Sequence, residues 1–188
     1  MKANDLRPGV AITLNGKLYV VVKTEHVKPG KGPAYIQAKM RGIDGSGTSE
    51  KRFNSSDNVD GATLDRRSME FLFDDGSGTG TFMDLETFDQ DEIGADILGD
   101  SLLYLAPNTS CNVLFHEGKA VVIELPAAVE VTIQDTPPNV KGATATNQLK
   151  DAKCDTGLKT RVPPFIEIGE KVKVSTADGS YMSRVKSD

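Results

Sequence analysis

The sequence predicts an all-β chain of three small β-barrel domains in an elongated array, and three observations carry that expectation. Short runs rich in β-branched and aromatic residues recur with turn signals roughly every 8–12 residues. Only one segment resembles a helix of any length. The charge balance also divides the chain: residues 1–63 hold ten Lys/Arg against six Asp/Glu, residues 64–127 three against thirteen, and residues 128–188 nine against eight. Domains are therefore expected at 1–63, 64–127 and 128–188, with seams in the polar stretch SSDNVDGAT (residues 55–63) and near Pro126. Pieces of about 60 residues sit near the lower limit for independent stability, so they are expected to lean on one another.

The elements follow in order. Val10–Leu14 and Leu18–Val22 flank Asn15-Gly16, the strongest hairpin signal in the chain, because both residues tolerate the positive φ of a type I′ turn. Ala34–Met40 is the next strand candidate, and Phe53 belongs to a short one after GIDGSGTS. Ser68–Phe73 and Thr81–Leu85 flank DDGSGTG, whose Gly, Ser and Asp residues cannot continue either strand. Phe88–Leu98 is the single helix candidate, weakened at Gly94 by roughly 1 kcal/mol. Cys111–His116, Ala120–Leu125 and Val129–Gln134 follow at short spacing. Leu158–Val162, Lys171–Ser175 and Tyr181–Val185 end the series, with Asp178-Gly179 turning between the last two.

Composition excludes several classes. Hydrophobic residues make up 38% and charged residues 26% of the 188, the balance of an ordinary folded protein. No apolar run approaches the ~18 residues of a membrane helix. The opening MKANDLRPGV lacks the apolar region of a signal peptide, so a cytoplasmic protein without a membrane partner is expected. Cys111 and Cys154 are the only cysteines; they lie outside any metal-ligand spacing and are expected to be reduced and structural. The net charge of −5 argues against a nucleic-acid partner, but the basic first third reverses that reading locally, because screening over roughly 8–10 Å makes local sign decisive.

Catalytic patterns are missing. His26 and His116 are the only histidines, and neither has a Cys, His or carboxylate neighbour at ligand spacing. No GxSxG, HExxH or GxGxxG occurs. Asp74-Asp75 and Asp91-Glu92 fit a solvated surface better than an acid–base pair. An enzyme is not expected, and neither a metal nor a bound cofactor.

The chemistry concentrates in Thr24–Arg41, TEHVKPGKGPAYIQAKMR. A strand pattern runs into Lys28-Pro29-Gly30-Lys31-Gly32-Pro33, and a second strand leaves it. Pro29 fixes its own φ, while Gly30 and Gly32 permit left-handed values. The expected product is a tight tip that projects the Lys31 ammonium between two neighbours lacking side chains, with room for a ligand against the backbone. Lys28, Lys39 and Arg41 add charge to a slender basic finger opposed only by Glu25. On the residues alone the same tip is also ordinary hairpin chemistry. It is not a phosphate-binding P-loop, since GxxxxGK[ST] is absent and no helix follows.

KPGKGPAY, entered through VKTEHV and left through KMR, resembles the tip of the first domain of the elongation factor P family. The resemblance runs through NDLRPGVAITLNGKLYVVV, FMDLETFDQ, TPPNVKG and VPPFIEIGEKVKVSTADGSYMSRVK in family order and spacing. It implies a KOW/SH3-like barrel followed by two OB-like barrels in a tRNA-like L shape, which also accounts for the acidic middle. It further implies a monomeric translation factor that binds the 70S ribosome beside P-site peptidyl-tRNA and relieves stalling at consecutive prolines. At the Lys31 position the family carries a lysine that reaches the tRNA acceptor end and is often covalently extended. The implied partners therefore include a lysine-modifying enzyme, and Lys28, Pro29, Gly30, Gly32 and Pro33 would shape the tip.

The chain departs from the family at one loop. Where the family usually reads Gly-Asp-Thr and resembles a contact to the messenger codon, this chain has Gly142-Ala143-Thr144 and lacks the carboxylate. Tyr181 and Arg184 match positions that resemble ribosome or tRNA contacts; a strand residue and a solvated charge are the equally weighted alternative. Two further readings stay open. An elongation factor P-like paralogue with a different range of stalling motifs has a similarly altered loop, but a longer tip without KPGKG. A general OB-fold single-strand RNA binder would need aromatic stacking platforms along a basic groove, whereas this chain has no Trp and 6% aromatics.

Overall fold

The computed structural model describes residues 1–43, 45–139 and 148–186. They form fifteen strands in three five-stranded sheets, as the sequence predicts for an all-β chain of three small domains. The chain separates into two compact units, Met1–Arg66 with Leu114–Val122, and Arg67–Val113 with Ile123–Asp188.

In the first unit, β1 (Ala11–Leu14), β2 (Lys17–Val27), β3 (Tyr35–Gly42), β4 (Thr48–Asn54) and β5 (Asp60–Ala62) make a sheet ordered β4-β3-β2-β1-β5. The β1–β2 hairpin closes as expected: Leu14 pairs with Lys17, and Asn15 and Gly16 take φ of 51° and 76°. Strand alternation decides what enters the core. Ile36, Ala38 and Met40 point inward from β3 and pack with Ala3, Leu6, Ile12, Val21, Phe53 and Val59, leaving Tyr35, Gln37, Lys39 and Arg41 on the opposite face. A smaller cluster joins Val20 to Leu114 and Val121. Strand β5 lies inside the stretch expected to be a seam. Its residues Asp60, Gly61 and Ala62 carry no hydrophobic alternation, yet Ala62 pairs with Ala11 and Asp60 with Thr13. A short charged strand suits a sheet edge, where charge discourages pairing with another chain.

The second sheet contains β6 (Asp65–Asp74), β7 (Gly80–Asp84), β8 (Gln90–Ile93), β9 (Ser110–His116) and β10 (Lys119–Glu124), in the order β10-β9-β6-β7-β8. In the second unit Phe71 and Phe82 meet at 5.3 Å between ring centroids, and Met69, Ile93, Leu98 and Leu105 are buried as well. The expected helix Phe88–Leu98 is corrected here. Phe88 has φ of 63°, residues 90–93 pair with β7, and Gly94 is extended. A helical turn, α1, survives only at Ala95–Leu98, followed by a 3₁₀ segment at Gly99–Tyr104. Gln90–Ile93 ends on a single inward apolar residue, a period of two that the neighbouring carboxylates disguise.

The third sheet is β11 (Ala128–Asp135), β12 (Lys150–Cys154), β13 (Lys159–Val162), β14 (Lys171–Ser175) and β15 (Tyr181–Arg184), ordered β13-β12-β11-β14-β15. Val129, Val131, Ile133, Val162, Ile166, Val172 and Val174 fill its core, with Leu103 and Tyr104 of the 3₁₀ segment packed against it. Within this unit Thr156 Oγ1 donates to the Leu103 carbonyl at 2.7 Å. Both cysteines are free and buried. Burial pushes the Cys111 thiol up to about 12, and burial together with Asp155 raises that of Cys154 to about 11. Among the described residues no helix is long and apolar enough to cross a membrane.

Candidate functional site

The KPGKG tip is the loop that joins β2 to β3. Eight cross-strand pairs build its support, from Tyr19 opposite Gly42 to Val27 opposite Tyr35, with one irregularity between Val21 and Lys23. The expected slender finger is in fact the corner of a broader sheet. Strand β4 follows β3 to its first residue, Asn54 opposite Tyr35, and Ser55 N donates to the Ala34 carbonyl at 3.1 Å. Only residues 28–34 run beyond the ladder, so a short loop is displayed from a three-stranded, core-backed base.

Lys28, Gly30, Lys31, Gly32 and Pro33 are exposed and Pro29 is half-buried. The two glycines differ. Gly32 takes φ of 110°, a backbone that side-chain-bearing residues rarely adopt, whereas Gly30 stays outside the left-handed region and has nothing within 4 Å of where a Cβ would stand. Gly32 is thus a requirement of the fold at the tip. Gly30 answers to no neighbour among the described residues.

Charge along the corner is more selective than the composition suggests. Lys23 Nζ lies 2.7 Å from Glu25 Oε1, which raises the lysine and holds the Glu25 carboxyl below its usual range. The Arg41 guanidinium donates to the Val121 carbonyl and belongs to the packing of the unit. Arg7 reaches the Asn4 and Leu6 carbonyls, and its Nη1 lies 3.4 Å from His26 Nε2. Lys28 and Lys31 have no acidic partner among the described residues. The sequence reading missed one further group: Arg52 of β4 lays its guanidinium over the Tyr35 ring at 3.5 Å from the centroid. The signal lies in the strand register, which sets Arg52 opposite Gln37 on the same face as Tyr35.

The other candidate positions lie apart from this loop in the chain. Gly142, Ala143 and Thr144 fall outside the described residues. Tyr181 is half-buried against the third core. Arg184 is exposed, ion-paired to Glu170, and 5.5 Å from the Phe165 ring centroid. That pairing, after the backbone amide of Glu167, holds the Glu170 carboxyl below its usual range. Among the described residues no cluster of His, Cys, Asp and Glu is arranged to hold a metal.

Comparison with known proteins agrees with this layout. The family description "Elongation factor P (EF-P) KOW-like domain" matches residues 2–59, "Elongation factor P (EF-P) OB domain" residues 64–123, and "Elongation factor P, C-terminal" residues 129–184. An elongation factor P from Nocardioides sp. is 44% identical over 97% of this chain and 97% of its own length. The chain belongs to the elongation factor P family. Other members are similar at comparable levels: the protein of Acidothermus cellulolyticus at 44% over 98% of both chains, and that of Streptomyces coelicolor at 43% over 98% of both. Among solved structures, a translation initiation factor 5A from Methanococcus jannaschii shares 23% identity with a TM-score of 0.41, over 65% of this chain and 92% of that one. Family membership makes this chain a translation factor.

Proposed function

We propose that this factor binds the cytoplasmic 70S ribosome beside P-site peptidyl-tRNA and stimulates peptide-bond formation at consecutive prolines, with Lys31 as the group that meets the tRNA acceptor end. The observation that carries the reading is the display of Lys31: an exposed ammonium, without an acidic partner among the described residues, at the head of a three-stranded sheet corner. The chemistry then belongs to the ribosome, and the factor is not an enzyme. Proline is a rigid donor and a poor nucleophile, so restoring attack geometry is a proximity effect worth up to several kcal/mol. An ammonium, bare or covalently extended by a modifying enzyme, supplies charge-assisted hydrogen bonds to phosphate or ribose. Gly30 leaves the backbone open on one side of it, and Gly32 turns the chain on the other. A contact of residues 142–144 to messenger RNA, and of Tyr181 and Arg184 to ribosome or tRNA, belongs to the same reading, with Arg184 first having to release Glu170.

The test is reconstituted translation of a reporter bearing three consecutive prolines, with and without the factor. The expected result is a several-fold rise in full-length product confined to the proline reporter. Equal yields with and without factor would overturn the reading. The paralogue reading predicts stimulation at other stalling motifs and little at prolines.

A further inference from the structure

Beside the tip, Arg52 stacks on Tyr35 and keeps its N–H groups unengaged among the described residues. Arg52 is exposed, its guanidinium carbon lies 3.5 Å from the Tyr35 ring centroid, and among the described residues no carboxylate or carbonyl takes its N–H groups. Tyr35 is itself held at the last rung of two ladders, opposite Val27 and opposite Asn54. An aromatic face under a guanidinium restricts its rotamers and leaves the donor edges free, the state in which a planar fork binds an oxyanion with two hydrogen bonds. Lys39 lies two positions on from Gln37 along the same face, with Glu50 of β4 opposite it, and the loop that carries the acid-free Lys28 and Lys31 adjoins Tyr35, so the positive charge gathers on the loop side of the stack. The nearest carboxylate on that face of β2, Glu25, is already engaged by Lys23.

We infer that Arg52, held by Tyr35, binds a backbone phosphate of RNA next to the residue that Lys31 contacts, giving the first domain a second anchor on the nucleic acid. The inference rests on the ribosomal reading above. A single phosphate contact has two signatures: uniform loss of affinity when it is removed, and a shallower salt dependence by about one ion. Lysine at the same place keeps the charge but loses the flat stacking surface.

The experiment is equilibrium binding of the full chain to 70S ribosomes carrying initiator tRNA in the P site, from about 50 to 200 mM salt. Arg52→Gln is expected to weaken binding about tenfold and to lower the slope of log affinity against log salt by about one. Arg52→Lys should restore the slope and only part of the affinity, and Tyr35→Leu should cost a few-fold at nearly unchanged slope. Arg52→Gln binding within twofold of the parent at the parent slope overturns the proposal and leaves the ribosomal reading intact. Failure of the parent chain to bind overturns both. A photo-crosslinker at residue 54, opposite Tyr35, should attach to RNA; attachment to protein alone assigns the stack to an acidic protein surface and also overturns the proposal.

Discussion

Replacing the two tip glycines by alanine separates what the chain requires from what its partner requires. Gly32 has φ of 110°, and the nearest atom to an added Cβ is Pro29 Cγ at 3.9 Å, so the cost of Gly32→Ala is backbone strain and not a clash. Strain of this kind is of the order of 1–3 kcal/mol. Because residues 28–34 make no ladder bonds and can relax, the lower part of that range, about 1–2 kcal/mol, is expected. At Gly30 the backbone avoids the left-handed region and the surroundings are open. There alanine narrows the unfolded ensemble and should leave stability unchanged or raise it by up to about 1 kcal/mol. If RNA comes close to the backbone beside Lys31, the same methyl group blocks the approach. Gly30→Ala should then slow triproline synthesis several-fold at parental stability. Urea unfolding and reconstituted translation on both variants provide the assay. A loss of more than about 1 kcal/mol in Gly30→Ala would refute the loop geometry, and parental triproline yield in that variant would refute the close approach.

Three further outcomes are expected from the scaffold. An added Cβ at Gly80 would meet Phe82 Cε2 at 3.0 Å and Leu98 Cδ1 and Phe71 Cε2 at 3.1 Å, so Gly80→Ala should lose about 1–3 kcal/mol by overpacking, read from urea midpoints. Glu117 is an exposed residue with φ of 48° in the β9–β10 turn, followed by Gly118 at 77°; Glu117→Asn should stabilise by about 0.5–1 kcal/mol, and a fall in thermal midpoint would contradict the turn assignment. Its exposed contact with His116 at 3.9 Å is too weak to offset that gain. Asp84 is nearly buried and accepts from the amides of Glu86 at 2.8 Å and Thr87 at 3.1 Å, which lowers its pKa. Its carboxylate therefore contributes stability above the unfolded value near pH 4, lost as pH falls through the lower folded value. Asp84→Asn should unfold at lower urea than the parent at pH 7, with the gap closing towards pH 3; a gap independent of pH would contradict the charge-based account.

Where sequence and structure agree, a strong local signal existed. Asn15-Gly16 could hardly do anything but turn, and KPGKGP announced a loop because Pro and Gly bar continuation of a strand. Sequence and structure part where pairing overrides weak local preference. Strand β12, KDAKC, carries little strand signal because its inward residues are the small Ala152 and Cys154 between outward lysines and an aspartate. Strand β8 resembles a helix in sequence because three polar residues precede Ile93, and its strand character comes from the partner β7. The site divides the same way. Lys31 and its glycines are adjacent in sequence and were visible, although the differing duties of Gly30 and Gly32 emerge only from their φ values. Arg52 and Arg41 exchanged importance: each is one basic residue in sequence, but the fold turns Arg41 onto Val121 and Arg52 onto Tyr35. No reading of composition distinguishes a cation used for packing from one left at the surface.

Whether the side chain of Lys31 is the working group proposed above is decided most directly by triproline synthesis with Lys31→Ala, with ribosome binding and unfolding measured on the same preparation. Exposure of Lys31 outside every ladder predicts parental unfolding, because no described residue depends on it. Ribosomes should still bind the variant while stimulation at prolines falls at least tenfold. Parental stimulation by Lys31→Ala, with binding intact, would contradict it and move the function away from the tip.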